Sequence, residues 1–107
     1  MDSTLRDYGI SRIIDLCKQK QYRQETLHLA INIFDRIMML NLKVVKPEQL
    51  PIYIVACTIL AAKLEQPMTP SISIMIRLLP DKEQNIVTKE RVILLEEQIV
   101  KKLNFNF

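Results

Sequence analysis

Side chains that could act as nucleophiles, general bases or metal ligands are few in this sequence and are not grouped. The chain has one histidine, His28, and two cysteines, Cys17 and Cys57, which lie far apart. These three residues cannot supply the ligands of a zinc site, and no serine has a histidine close to it in the sequence. Gly9 is the one glycine, so neither common phosphate-binding loop is present. The sequence therefore predicts no enzyme, no metal site and no cofactor.

Two charged residues lie where helical periodicity would place apolar ones. At 100° per residue, Glu96 falls within an apolar stripe that includes Val92 and Ile99, and Lys63 follows a long uncharged run. A carboxylate buried without a partner costs several kcal/mol, so Glu96 needs one. It could form an internal ion pair, or Lys63 could instead reach water from the end of its helix. Alternatively, the two charges lie together at one mouth of the bundle and face a partner protein.

A third charge, Asp35, lies at the border of an apolar stripe on the second predicted helix. Arg6, near the start of the first predicted helix, is the cation that we expect to pair with it. A guanidinium and a carboxylate can form two parallel hydrogen bonds. This pair would therefore join two helices and would serve structure rather than chemistry.

Five apolar or amphipathic segments would position these charges. The spacing of apolar residues predicts helices over about 3–20, 25–40, 47–64, 70–79 and 88–103. The third helix is apolar nearly all round, which is typical of a helix surrounded by others. The scarcity of glycine also favours helices over turn-rich β structure. We therefore predict an all-α bundle of five helices with the third helix at its centre.

Proline and threonine residues mark several of the helix ends. Pro47 suits the first turn of the third helix, and Thr69 with the proline after it would open the fourth. Pro80 and Asp81 are expected to end the fourth helix, and Thr88 is the expected cap of the fifth.

Composition limits the class of protein. At 107 residues, with 49% hydrophobic and 25% charged residues, the chain fits a single globular domain over 1–107 with buried free cysteines. The net charge is +3, and 15 basic residues are mixed with 12 acidic ones, which disfavours nucleic-acid binding. The longest uncharged apolar run is too short to span a bilayer, and no signal peptide is recognisable. We therefore expect an intracellular protein of the nucleus, the cytoplasm or both.

Three segments of the chain resemble the cyclin box, the helical domain of the cyclin family. Residues 24–36, QETLHLAINIFDR, are similar to its second helix, where ETLHLA leads to an Asp-Arg pair. Residues 61–65, AAKLE, resemble the end of its third helix, and residues 88–107 resemble its fifth. From residue 24 onward the matches keep the family's order and spacing, and only 66–85 match weakly. The resemblance, which is to cyclins of the A and B type, implies a five-helix N-terminal cyclin box.

The resemblance also implies a cyclin-dependent protein kinase as the partner. In cyclins, a lysine that ends the third helix and a glutamate in the fifth hold the αC helix of the kinase, and they correspond to Lys63 and Glu96. Apolar kinase contacts carry over to Leu60, Leu64, Val100, Phe105 and Phe107. The family pattern includes the pairing of Arg6 with Asp35. A cyclin pushes αC inward and so activates the kinase, and it catalyses nothing itself.

Two features depart from the family pattern. Many cell-cycle cyclins have a docking patch for substrates on the first helix, and here Gly9 and Arg12 replace its leucine and tryptophan, so we do not expect recruitment through that patch. The C-terminal box of most cyclins does not follow, which is compatible with an excised domain, a short cyclin or a divergent scaffold. The alternative function is therefore a non-activating adaptor of the cyclin fold in a larger protein assembly. Transcription factor IIB shares the fold, but the mixed charge disfavours nucleic acid as a partner.

Overall fold

The computed structural model describes residues 3–40, 46–65 and 71–103, and every regular element within them is helical. In chain order the helices are α1 (Ser3–Gln19), α2 (Gln24–Leu40), α3 (Leu50–Glu65), α4 (Ile72–Arg77), α5 (Asp81–Gln84) and α6 (Lys89–Leu103). A 3-10 turn, Pro47–Gln49, leads into α3. The all-α class predicted from the sequence is confirmed.

The described part of the chain contains six α-helices, whereas the sequence predicted five. The additional helix is α5, a single turn that follows Pro80. Pro80 occupies the N-cap position of α5, and Asp81 and Glu83 lie in its first turn, where the positive end of the helix dipole favours acidic residues. The prediction that Pro80 and Asp81 only end the preceding helix is therefore incomplete.

The other helix boundaries follow the expected caps, with two shifts. Pro47 holds the first position of a 3-10 turn rather than of α3 itself. Ser71 caps α4, because its hydroxyl accepts a hydrogen bond from the backbone N–H three residues along at 3.4 Å. The predicted cap, Thr69, and the proline after it lie outside the described residues. Thr88 caps α6 as predicted, since its hydroxyl accepts from a backbone N–H at 3.2 Å.

Helix α3 contributes the largest share of the core. All of its residues from Leu50 to Ala62 are buried except Ile52, and it packs against α1, α2, α4 and α6. A helix that is apolar on all sides is stable in water only when other helices cover it. Only the last turn of α3, which begins at Lys63, emerges at the surface. This emerging turn positions the charged site described below.

Gly9 allows α1 to lie close against α2. A Cβ built at Gly9 would lie 2.7 Å from Phe34 Cε2 and 3.0 Å from Phe34 Cε1, closer than van der Waals contact allows. Phe34 is fully buried in the core, and the close packing of a protein interior resists displacement of its ring. Glycine in a helix interior costs about 1 kcal/mol relative to alanine. At this position the close packing of the ring offsets that cost.

Candidate functional site

Lys63 and Glu96 meet at the C-terminal end of α3. Lys63 lies in the last turn of α3, and Glu96 lies in the middle of α6, which packs against α3. Lys63 Nζ is 3.0 Å from Glu96 Oε1, and the Lys63 side chain is 39% exposed while that of Glu96 is 9% exposed. The sequence left two alternatives, an internal ion pair and a location of the two charges at the surface of the bundle. The structure has both, because the paired residues lie where α3 emerges at the surface.

The two oxygens of the Glu96 carboxylate differ in exposure. Oε1 is buried, and the Lys63 ammonium, 3.0 Å away, is its partner. A buried carboxylate oxygen without a partner is costly, so the lysine stabilises it. Oε2 is not buried in this way, so a bound molecule could donate a hydrogen bond to it.

A groove opens beside the ion pair, between α3, α4 and α6, with a volume of about 670 Å³. We call it the α3–α6 groove. Every predicted contact residue within the described part of the chain lines it, namely Leu60, Lys63, Leu64, Glu96 and Val100. The remaining two, Phe105 and Phe107, lie outside the described residues. Side chains that are distant in the sequence are therefore brought to one place.

The α3–α6 groove combines an apolar floor with charges at its edge. Leu60 at its floor is buried, whereas Leu64 and Ile93 are each 40% exposed. Protein interfaces are commonly built in this way, with an apolar centre and a polar rim. The groove therefore has the chemistry of a protein-binding surface.

Four further residues line this groove that the sequence analysis did not assign to it. They are Ile72 of α4 and Ile93, Glu97 and Lys101 of α6. The three residues of α6 recur at steps of four, so they share one helix face, and helical spacing alone could have identified them. Ile72 gave no such signal, because the packing of α4 beside α6 does not follow from local sequence.

Arg6 and Asp35 form a bidentate ion pair. Arg6 Nε donates to Asp35 Oδ1 at 2.8 Å, and Arg6 Nη2 donates to Oδ2 at 3.0 Å. The pair joins α1 to α2 and does not belong to the α3–α6 groove. The hydrogen bond to Asp35, more than the charge of Asp35, raises the pKa of Arg6. Since arginine is protonated at any physiological pH, this pKa shift has no chemical consequence.

A second polar cluster, formed by Tyr8, Arg12 and Glu83, was not expected from the sequence. Glu83 is buried, and it accepts a hydrogen bond from Tyr8 Oη on Oε1 at 3.1 Å. Arg12 Nη2 lies 3.9 Å from Glu83 Oε2, and no described residue forms a hydrogen bond with that oxygen. Burial, and secondly the hydrogen bond to Glu83, raises the pKa of Tyr8. Arg12 of α1 thus pairs with Glu83 of α5.

The described residues contain neither a metal site nor a membrane-spanning helix. No cluster of three or more His, Cys, Asp or Glu side chains there could hold a metal ion. None of the helices in that part of the chain has the length and apolar character needed to cross a membrane. Cys17 and Cys57 are free and buried, as predicted. Burial raises the pKa of Cys17 to about 11 and raises that of Cys57 further.

Comparison of the sequence with known proteins identifies the family of the chain. The chain is 27% identical to Cyclin-A1-4 of Oryza sativa subsp. japonica over 105 residues, which is 98% of this chain and 28% of the relative. It is 31% identical to the G2/mitotic-specific cyclin-B of Spisula solidissima over 99 residues, 89% of this chain and 22% of the relative. It therefore spans less than a third of either relative. The family model "Cyclin, N-terminal domain" matches residues 1–107, and the chain belongs to that family.

Proposed function

We propose that this chain is a regulatory module that binds a cyclin-dependent protein kinase through the α3–α6 groove and activates it without catalysing a reaction itself. The observation that carries the proposal is the shared location of the residues that the family resemblance assigns to kinase contact. All of those within the described part of the chain line this one groove. A kinase partner also implies an intracellular location, in the nucleus, the cytoplasm or both.

The groove offers two kinds of contact to the αC helix of a kinase. Leu64 and Val100 provide apolar surface, and burying such surface stabilises a complex by roughly 25 cal/mol per Å² before the costs of association. The Lys63 side chain is partly exposed and can donate to backbone carbonyls, while Glu96 can accept from backbone or side-chain donors through Oε2, because Oε1 is buried against Lys63. The apolar contacts would supply affinity, and the charged pair would fix the orientation of the bound helix.

Activation would follow from preferential binding of one kinase conformation. A kinase whose αC helix alternates between an outward and an inward position shifts toward the inward one only if the groove binds that position more tightly. A shift from 1:99 to 99:1 requires a difference of about 5.5 kcal/mol in binding free energy. We propose that the orientation imposed by Lys63 and Glu96 is the source of this difference.

The test is binding and activation with a panel of purified cyclin-dependent kinases, measured by calorimetry and by phosphorylation of a peptide substrate. Glu96→Arg is expected to weaken binding at least about 30-fold, because disrupting a buried charge contact costs about 2 kcal/mol or more. Glu90→Arg, on the first turn of the same helix and away from the groove, is the matched control and is expected to bind like the unchanged chain. Equal affinity of the Glu96→Arg and unchanged chains for every kinase that binds would refute the proposal.

The same experiment separates activation from the adaptor alternative. The pairing of Arg12 with Glu83 favours that alternative, because it replaces the apolar docking patch of many cyclins by a polar contact. An adaptor would bind a kinase, or another component of a larger assembly, without raising the rate of phosphorylation. Binding that depends on Glu96 but leaves kinase activity unchanged would therefore assign the adaptor role.

A further inference from the structure

We propose that Glu97 and Lys101 determine which kinases the α3–α6 groove accepts, by selecting an αC helix with a basic side chain opposite Glu97 and an acidic one opposite Lys101. This inference rests on the proposed function, and it concerns selectivity among partners rather than binding itself. The two residues line the groove beside the Lys63–Glu96 pair and are distinct from it.

The structure places the two charges where a partner could contact them. Both side chains are exposed, and within the described ranges neither takes part in an ion pair. Glu97 precedes Lys101 by four residues, so the two lie on one face of α6, about 6 Å apart along the helix axis. The groove edge thus carries an acid and a base in a fixed order, separated by one helical turn.

Their exposure distinguishes them from Glu96. The buried carboxylate of Glu96 already has Lys63 as its partner in the free protein, so it does not depend on a particular charge on the αC helix that enters the groove. Glu97 and Lys101 are solvated in the free protein and gain a protein partner only if the bound helix presents the opposite charges. Exposed charges at an interface contribute modest affinity but strongly disfavour partners with like charges. They are therefore suited to choose among related kinases.

The apolar residues beside them fix the register of the occupant. Ile93 lies one turn before Glu97 on the same face of α6, and Ile72 of α4 also lines the groove. For a bound helix that lies along α6, an apolar side chain packed between these two isoleucines would place the next turn opposite Glu97 and the following one opposite Lys101. The order apolar, basic, acidic along one face is thus the pattern that the groove recognises.

The test uses a panel of purified cyclin-dependent kinases that differ in the charges along αC, with affinities measured by calorimetry at low and high salt. Glu97→Lys and Lys101→Glu are each expected to weaken binding five- to tenfold for kinases with the matching charges, with a smaller loss at high salt. The combined variant is expected to reverse the ranking and to prefer a kinase in which the base and the acid are exchanged. Glu90→Lys and Lys89→Glu make the same charge changes on α6 outside the groove, and they are the controls.

The outcomes separate this inference from the proposed function. One outcome is that Glu96→Arg abolishes binding while the two single variants, Glu97→Lys and Lys101→Glu, and the combined variant leave the affinity ratios among kinases unchanged within twofold. In that case the groove binds kinases but these two residues do not select among them, and the inference is wrong. If Glu96→Arg has no effect on any kinase, the proposed function fails and the inference fails with it. A reversed ranking in the combined variant, absent in the controls, would establish the inference.

Discussion

Replacing Glu96 by leucine is expected to stabilise the isolated domain while it abolishes partner binding, and replacing Lys63 by methionine is expected to destabilise it. The reason is the unequal exposure of the two side chains, 39% for Lys63 and 9% for Glu96. Without Glu96, the ammonium of Lys63 still reaches water, so no buried charge is left without a partner. Without Lys63, a buried carboxylate loses its ion-pair partner.

The magnitudes follow from the geometry of the pair. At 3.0 Å and an effective dielectric constant of about 20, the attraction is roughly 5–6 kcal/mol, which is about what the desolvation of Glu96 and the ordering of Lys63 cost. The pair therefore contributes little net stability. A leucine at position 96 would gain about 1.5–3 kcal/mol from burial, and allowing for imperfect packing we expect the free energy of unfolding to rise by about 1–2 kcal/mol. Lys63→Met should lower it by about 2–3 kcal/mol.

The assay is urea unfolding of each variant followed by circular dichroism at 222 nm. Glu97→Leu is the matched control, because it makes the same substitution at the adjacent, exposed position and is expected to change the free energy of unfolding by less than about 0.5 kcal/mol. If Glu96→Leu and Lys63→Met destabilise the domain equally, the pair is a stabilising unit and the argument from unequal exposure is refuted.

Two further predictions concern the core. A glycine-to-alanine change stabilises most helices, but Gly9→Ala is expected to lower the free energy of unfolding by about 1–2 kcal/mol, because overpacking against Phe34 exceeds the gain in helix propensity. Thermal unfolding of Gly9→Ala with and without Phe34→Leu checks this. The double variant is expected to be more stable than Phe34→Leu alone. Cys17 and Cys57 are expected to react with a thiol reagent only after unfolding. The free energy of unfolding should fall as pH rises from about 9 toward 11, because the unfolded chain releases the Cys17 proton at lower pH than the folded chain. Prompt labelling of either thiol in the native protein, or constant stability over that pH interval, would contradict this reasoning.

The main part of the groove could be predicted from the sequence because its residues lie on long, regular helices. Glu96 stands out within an apolar stripe, and Lys63 stands out at the end of an apolar helix, so periodicity alone marked both as unusual. The family resemblance then placed them together. The three additional groove residues on α6, Ile93, Glu97 and Lys101, recur at steps of four, so the same periodicity places them on one helix face.

The remaining features depend on contacts between segments that are remote in sequence. Helix α5 is a single turn, too short to produce a periodic pattern, and contacts with other segments, such as the hydrogen bond between Glu83 and Tyr8 of α1, support it. Neither Tyr8 nor Arg12 carries a local signal of that contact. Ile72 likewise became a groove residue only because α4 packs beside α6.

Because Glu83 is buried against α1, local unfolding of α5 depends on α1. A one-turn helix has almost no stability of its own, so α5 keeps its shape while Tyr8 and Arg12 hold its glutamate. Any fluctuation that releases α5 must break a contact with α1. Fraying of α1 beyond Tyr8 likewise removes a contact that supports α5, the segment that leads into α6. Hydrogen exchange is therefore expected to show α1 and α5 opening together, although dozens of residues of buried core separate them along the chain.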